Sequence, residues 1–120
     1  VKWDKENDLA VIATGLRLPV LGLSDNAPWP GYWVMALGSA DGFEGSVSFG
    51  NVLNTSRYEV YITNNLSHGN SGGALIDNEG MVVGVTTWGH EVEQYNGAVS
   101  LDAFCAKILE CQYEFDGEKT

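Results

Sequence analysis

Basic residues are scarce in this sequence. Its 120 residues include six Lys and Arg against 16 Asp and Glu, which gives a formal net charge of −10. Because non-specific nucleic-acid binding depends on neutralising phosphates with Lys and Arg, so acidic a chain has no surface for it. The same charge disfavours anionic membrane surfaces. We therefore expect neither nucleic acid nor a membrane surface among the partners.

Long hydrophobic runs are also missing. No apolar stretch approaches the roughly 20 residues that a membrane-spanning helix needs, so membrane insertion is not expected. The opening VKWDKEND has neither the basic start nor the apolar core of a signal peptide. It begins with Val1 rather than Met, and we expect the chain to be part of a longer polypeptide.

Cysteine and histidine number two each. Cys105 and Cys111 fall in one predicted helix, where a rotation of about 100° per residue turns their side chains about 120° apart. That geometry is poor for a bridge, so we expect free thiols, with Cys105 in the core. No His and Cys cluster has metal-ligand spacing and no loop has a phosphate-binding pattern, so neither a metal nor a cofactor is predicted.

All three prolines lie in LRLPVLGLSDNAPWPG (16–31), which predicts an irregular connector. Short apolar runs separated by turn residues surround it. They predict seven strands: DLAVIA (8–13), YWVMALG (32–38), SVSFGNVL (46–53), YEVYIT (58–63), GALID (73–77), MVVGVTTW (81–88) and YNGAVS (95–100). Six antiparallel strands can close and leave no exposed edge. The sequence therefore predicts an all-β fold with a six-stranded barrel over 32–100.

A different pattern follows the last strand. Leu101, Phe104, Cys105, Ile108 and Leu109 recur at i, i+3, i+4, i+7 and i+8, which is one apolar stripe of a helix over 101–112. Ser100 is a suitable N-cap and Asp102 suits the first turn. Residues 113–120 form a polar tail. The helix is expected to dock on the barrel by its stripe.

The segment SHGNSGGALID (67–77) contains a serine among glycines, and three interpretations are open. The glycines could simply form a tight turn. Gly69, Ser71 and Gly73 also satisfy the G-x-S-x-G pattern of the nucleophile elbow in an α/β-hydrolase esterase, with Asp77 and His90 in that fold's chain order. However, an elbow is followed by a helix, whereas ALIDNEGMVVGV is typical of a hairpin. The third interpretation is a family resemblance.

GNSGGALID followed by a turn and MVVGVTTWG resembles the nucleophile loop of trypsin-like serine proteases, most closely the HtrA branch, and the similarity extends over about 7–109. It implies two six-stranded barrels with the active site between them. Residues 32–100 are then similar to the second barrel, and residues 1–15 to the closing strand of an otherwise missing first barrel. The upstream half would be a partner, and an oligomer is compatible with the resemblance.

The resemblance also implies roles for individual residues. Ser71 would be the nucleophile, the backbone amides of Gly69 and Ser71 would form the oxyanion hole, and Asp8 of Asp8-Leu9-Ala10 would orient the general base. The family's histidine lies upstream of that Asp, so we expect it outside this sequence. His68 lies too close to Ser71 on the same loop to serve as base, and His90 is expected at the surface. This chain alone is expected to be nearly inactive, because a serine without a base is a poor nucleophile.

The substrate-binding residues follow from the same resemblance. They are Asn65, Leu66, Thr87, Trp88, Gly89 and Gly97, with His68 at the pocket rim. No acid stands at 65 or 66 to pair with a basic side chain, so a small or medium apolar side chain is expected. The 87–89 backbone would bind an extended polypeptide by strand addition. Thr87 is also expected to hydrogen-bond Asp8.

The sequence therefore predicts a serine endopeptidase that works through an acyl-enzyme. Two alternatives stay open: a non-catalytic, protease-like peptide-binding module, and the esterase. The resemblance favours an extracytoplasmic location, either periplasmic or secreted.

Overall fold

We describe the protein from a computed structural model that defines residues 2–25, 27–39, 44–66, 70–89 and 96–109; for 88–89 and 107–109 only the backbone is described. Eight strands are present: β1 (Lys2–Asp4), β2 (Leu9–Val11), β3 (Trp33–Gly38), β4 (Ser46–Thr55), β5 (Glu59–Ile62), β6 (Ala74–Ile76), β7 (Val82–Gly89) and β8 (Asn96–Ser100). They are followed by a helical turn α1 (Leu101–Ala103) and a π-helical segment (Phe104–Leu109).

The last six strands form a closed antiparallel barrel in the order β3-β4-β5-β8-β7-β6. The predicted all-β fold with a six-stranded barrel is thus confirmed. Alternate residues of each strand point inward, because successive side chains in a strand face opposite sides. The interior is filled by Val34, Ala36, Val52, Val60, Ile62, Leu75, Val83 and Ala98. These aliphatic side chains hold the backbone on which the site is built.

Strands β1 and β2 form a separate two-stranded hairpin that is not part of the barrel sheet, and β1 was not predicted. Trp3 pairs with Ala10 in its register. Asp4 closes the turn by accepting hydrogen bonds from the backbone N (3.3 Å) and Nδ2 (2.7 Å) of Asn7. The predicted strand over 8–13 is shorter, because Asp8 belongs to this turn and the residues after Val11 leave the ladder.

The connector between hairpin and barrel leaves apolar side chains in solvent. Ile12, Leu16, Leu18 and Val20 are each at least 69% exposed. Farther along, residues 22–24 join β7: Ser24 N donates to Val82 O at 2.9 Å, and Val82 N donates to Gly22 O at 2.8 Å. The connector is therefore irregular but attached to the barrel at residues 22–24.

The helical segment docks on the barrel as expected. Leu101 packs with Ile76 and Val82, and Ala103 packs with Leu9 and Val99. Ser100 is the N-cap, as predicted, although its side chain makes no cap hydrogen bond. Its Oγ donates instead to Arg57 O at 3.0 Å, which ties the strand end to the turn before β5. Residues 110–120 lie outside the described residues.

Cys105 is disulfide-bonded, and the prediction of a free thiol is wrong. The prediction assumed that both cysteines belong to one regular α-helix. The described residues are α-helical only over Leu101–Ala103 and π-helical over Phe104–Leu109, so that assumption does not hold. Cys111 lies outside the described residues. No helix in the described ranges is long and apolar enough to cross a membrane.

Candidate active site

Ser71 lies in the short turn that leads into β6, and its side chain is exposed. Gly72 has φ +88°, a left-handed conformation that strains any residue with a Cβ. A Cβ at Gly73 would overlap the carbonyl oxygen of Leu37 on β3, well inside 3.0 Å. The two glycines after the serine are therefore required for different reasons, one by its backbone angle and the other by close packing.

Backbone hydrogen bonds clamp this turn to β7. Gly72 N donates to Thr86 O at 2.7 Å, and Thr86 N donates to Gly73 O at 2.9 Å. The buried Thr86 hydroxyl also donates to Asn70 O at 2.5 Å. Asn70 itself is 5% exposed and packs against Gly38, which has no side chain to displace it. The position of Ser71 is thus fixed by bonds on both sides of it.

Thr87 connects Ser71 with Asp8. The Ser71 hydroxyl donates to Thr87 O at 2.9 Å, and the Thr87 hydroxyl donates to Asp8 Oδ2 at 2.8 Å. The predicted bond between Thr87 and Asp8 is present. Residues 79 positions apart in sequence therefore meet at one point, with the serine on one side of Thr87 and the carboxylate on the other.

The local backbone explains how Thr87 reaches both residues. The ladder between β7 and β8 shifts register between Thr86 and Trp88, which makes Thr87 the bulged residue. Bulges redirect a side chain and interrupt regular pairing. Asp8 is in turn held with φ +57°, a left-handed conformation that aspartate tolerates better than most residues. Both partners of the hydrogen bond thus occupy irregular backbone.

The described residues do not include all the groups that a serine nucleophile needs. A hydroxyl that donates to a carbonyl is not activated as a nucleophile, because no base accepts its proton. Both histidines, His68 and His90, lie outside the described residues, as does Gly69 of the predicted oxyanion hole. Within the described ranges, no group of three or more His, Cys, Asp or Glu side chains could hold a metal ion.

The predicted pocket residues other than His68 lie in three described segments. Asn65 and Leu66 follow β5; Asn65 is exposed and Leu66 packs against the barrel core. Gly97 is buried on β8 and pairs with Trp88, while Gly89 pairs with Asn96. His68 falls outside the described residues. The sequence analysis missed Asn64 and Asn96, which are joined by a hydrogen bond from Asn96 Nδ2 to Asn64 O. The only sequence signal for Asn64 was a polar residue next to the apolar pattern of β5.

A comparison with family models matches residues 1–85 to the trypsin-like peptidase domain. Among curated proteins, the chain is 38% identical over 94 residues to a probable periplasmic serine endoprotease DegP-like of Hahella chejuensis, covering 70% of this chain and 20% of that protein. It is 34% identical over 99 residues to serine protease HTRA1A of Danio rerio, covering 70% and 21%. The chain thus spans about a fifth of the length of these relatives.

Solved structures agree with this fold. The active form of the Rv3671c protease from M. tuberculosis superposes with a TM-score of 0.81 at 20% identity, covering 95% of this chain and 58% of that one. The HtrA-type protease AlgW with a decapeptide gives a TM-score of 0.64 at 25% identity, covering 69% and 30%. Barrel topology, the glycine-flanked serine and these similarities lead to one conclusion: the chain belongs to the trypsin-like peptidase family, in its HtrA branch.

Proposed function

We propose that this chain supplies the nucleophile, the orienting carboxylate and the substrate pocket of a serine endopeptidase. The observation that carries the proposal is the hydrogen-bonded series Ser71, Thr87 and Asp8 at one end of the barrel. A glycine-fixed serine has many structural uses. Acyl transfer by a serine, histidine and aspartate needs a serine and a carboxylate near enough to share one histidine, and Ser71 and Asp8, both bonded to Thr87, are close to each other.

The mechanism requires a general base that the described residues do not contain. A histidine from outside these 120 residues would accept the Ser71 proton while Oγ forms a bond to the peptide carbonyl carbon. The backbone amides of Gly69 and Ser71 would stabilise the oxyanion. The imidazolium would then protonate the leaving amine as the C–N bond breaks, and water would hydrolyse the acyl-enzyme. Asp8, fixed by the Thr87 hydroxyl, would orient the imidazole.

The substrate would be an extended polypeptide. Its backbone would pair with Thr87, Trp88 and Gly89 by strand addition, which gives affinity without sequence selection. Asn65, Leu66 and Gly97 would wall the pocket for the side chain before the scissile bond, with His68 at its rim, and a small or medium apolar side chain would fit. AlgW bound to a decapeptide supplies a precedent in a related protein.

The upstream half of the protease would be an intramolecular partner. The exposed apolar side chains of the connector support this, because single-chain surfaces rarely leave so many together in water. In this proposal, residues 1–15 complete a first barrel, residues 16–31 connect the two barrels and residues 32–100 form the second barrel. Residues 101–112 form the helix and residues 113–120 form the tail.

We also propose an extracytoplasmic location, since relatives are named periplasmic and a disulfide at Cys105 suits an oxidising compartment.

A second candidate function is a protease-like module that binds peptides without cleaving them. The bond from the Ser71 hydroxyl to a backbone carbonyl favours it, because that hydroxyl is occupied without being activated. The esterase interpretation has less support, since Ser71 is followed by strand β6 rather than by a helix.

Covalent labelling with a fluorophosphonate separates these functions, because the probe reacts only with an activated serine. We expect strong labelling of the longer polypeptide that carries the upstream histidine, little labelling of the 120-residue chain, and none of a Ser71→Ala variant of either. A longer polypeptide that binds extended peptides but stays unlabelled would establish the binding module and overturn the protease.

A further inference from the structure

Asn64 is a polar side chain buried inside the apolar end of the barrel, with 0% exposure. It follows β5 and immediately precedes the pocket residues Asn65 and Leu66. Its Nδ2 donates to Val34 O at 3.2 Å and to Ser48 O at 2.7 Å, so one side chain bridges β3 and β4. A buried amide is costly unless such bonds are made.

The barrel leaves space for this side chain at Gly50. A Cβ on Gly50 would lie 2.7 Å from the backbone N of Asn64, and it would come still closer to Asn64 Oδ1. Glycine within a strand often marks a close approach by another part of the chain. Gly50 has no left-handed backbone angle, so what requires glycine here is the proximity of Asn64 and of Thr63 Oγ1, which would also lie 2.7 Å from the Cβ.

Asn64 combines two buried donor bonds with one buried acceptor that no described residue satisfies. Its Nδ2 donates to Val34 O and Ser48 O, whereas its Oδ1 accepts no hydrogen bond from the described residues. A buried unpaired acceptor lowers stability and offsets part of what the two donor bonds contribute. What an apolar side chain could not supply is the attachment of this residue to β3 and β4.

The surrounding hydrogen bonds show which segments of the chain Asn64 holds in place. Asn64 O accepts a hydrogen bond from Nδ2 of Asn96, the residue before Gly97 on β8. Asn65 N donates to Ser48 Oγ at 2.9 Å. Asn64 is therefore tied by its side chain to β3 and β4 and by its carbonyl to β8, between the two segments assigned to the substrate pocket.

We propose that Asn64 is a positioning residue that sets the spacing between the 65–66 segment and the 96–97 segment, and thereby the size of side chain that the pocket accepts. The inference rests on the proposed peptidase function. Asn64 itself touches no reacting atom. Its loss would shift the preference between substrates rather than abolish the chemistry.

The test compares kcat/KM for two peptides that differ only in having alanine or leucine before the scissile bond, using the longer polypeptide that carries the upstream histidine. We expect Asn64→Ala to change the ratio of the two values by about tenfold, the scale on which pockets discriminate by a few methylenes. Val83→Ala is the matched control, because it opens a core cavity in the part of β7 farthest from Thr87. It should lower the melting temperature and leave the ratio unchanged.

Gly50→Ala provides an independent route to the same result, since its methyl group would overlap Asn64 and displace it. It should change the ratio as Asn64→Ala does, and the double variant should change it no further, because both act through one contact. If Asn64→Ala does not fold, Gly50→Ala and Asn64→Ser carry the comparison.

The outcomes separate the two proposals. A wild-type protein that cleaves the peptides, combined with Asn64 and Gly50 variants that keep the wild-type ratio, would refute the positioning role alone, whatever their stability. A wild-type protein that cleaves neither peptide and is not labelled by fluorophosphonate would refute the peptidase function, and the positioning role with it.

Discussion

Removing the Thr87 hydroxyl tests whether the contact with Asp8 contributes to catalysis. Thr87→Val keeps the β-branched shape and removes only the donor of the 2.8 Å bond to Asp8 Oδ2. The backbone carbonyl that accepts the Ser71 hydroxyl stays in place. The substitution therefore separates the orientation of the carboxylate from the position of the serine.

The magnitude follows from the exposure of the two partners. A hydrogen bond to a charged group contributes about 1.5–3 kcal/mol when it is well shielded. Here Asp8 is exposed and Thr87 half-buried, so solvent competes for the carboxylate. We therefore expect a loss of about 1 kcal/mol of transition-state stabilisation, which is about a fivefold decrease in kcat/KM.

The assay is peptide hydrolysis by the longer polypeptide that carries the upstream histidine, with the rate of fluorophosphonate labelling as a second readout. Thr87→Ser is the matched control, because it retains a hydroxyl in the same place. Thermal melting of both variants excludes a general loss of fold. Wild-type activity in Thr87→Val, or equal losses in Thr87→Val and Thr87→Ser, would refute the assigned role of this bond.

Two further substitutions test other parts of the structure. Gly73→Ala should abolish labelling of the longer polypeptide and lower the free energy of unfolding by about 1–3 kcal/mol, because its methyl group overlaps Leu37 O; Gly15→Ala, which has open space around it, should change neither. Equal behaviour of the two variants in denaturation and labelling would contradict the packing argument. Cys105→Ser should lower the free energy of unfolding by about 2 kcal/mol, and reductant should lower the melting temperature of the wild type while leaving this variant unchanged; a reductant-insensitive wild type would contradict the disulfide.

The barrel was predictable because its strands follow simple rules. Inward positions such as Val34, Val60 and Leu75 alternate with outward ones, and turn residues separate the runs. Strand β1 was missed because KWD contains a single apolar residue and relies on pairing with β2. The sequence signals a strand by its buried face, and this strand has none.

The site was only partly predictable for a related reason. The glycines around Ser71 indicate an unusual turn, but the contact between Thr87 and Asp8 came from family resemblance rather than from any local pattern. The β7 bulge and the amide network of Asn64 leave no periodic signature, since the bulge depends on the pairing of β7 with β8 and Asn64 bonds to β3 and β4. The redox state of Cys105 was predicted wrongly because the prediction rested on one regular α-helix over 101–112, whereas the described α-helical residues are Leu101–Ala103.

The long separation between Asp8 and Thr87 has a consequence for folding. Joining positions 79 residues apart carries a larger loop-closure cost than joining Ser71 to Thr87, which are 16 apart. Contacts of such long range form late in folding. The turn around Ser71 can consequently form before Asp8 meets Thr87, so the series of Ser71, Thr87 and Asp8 would be completed only after the barrel has closed.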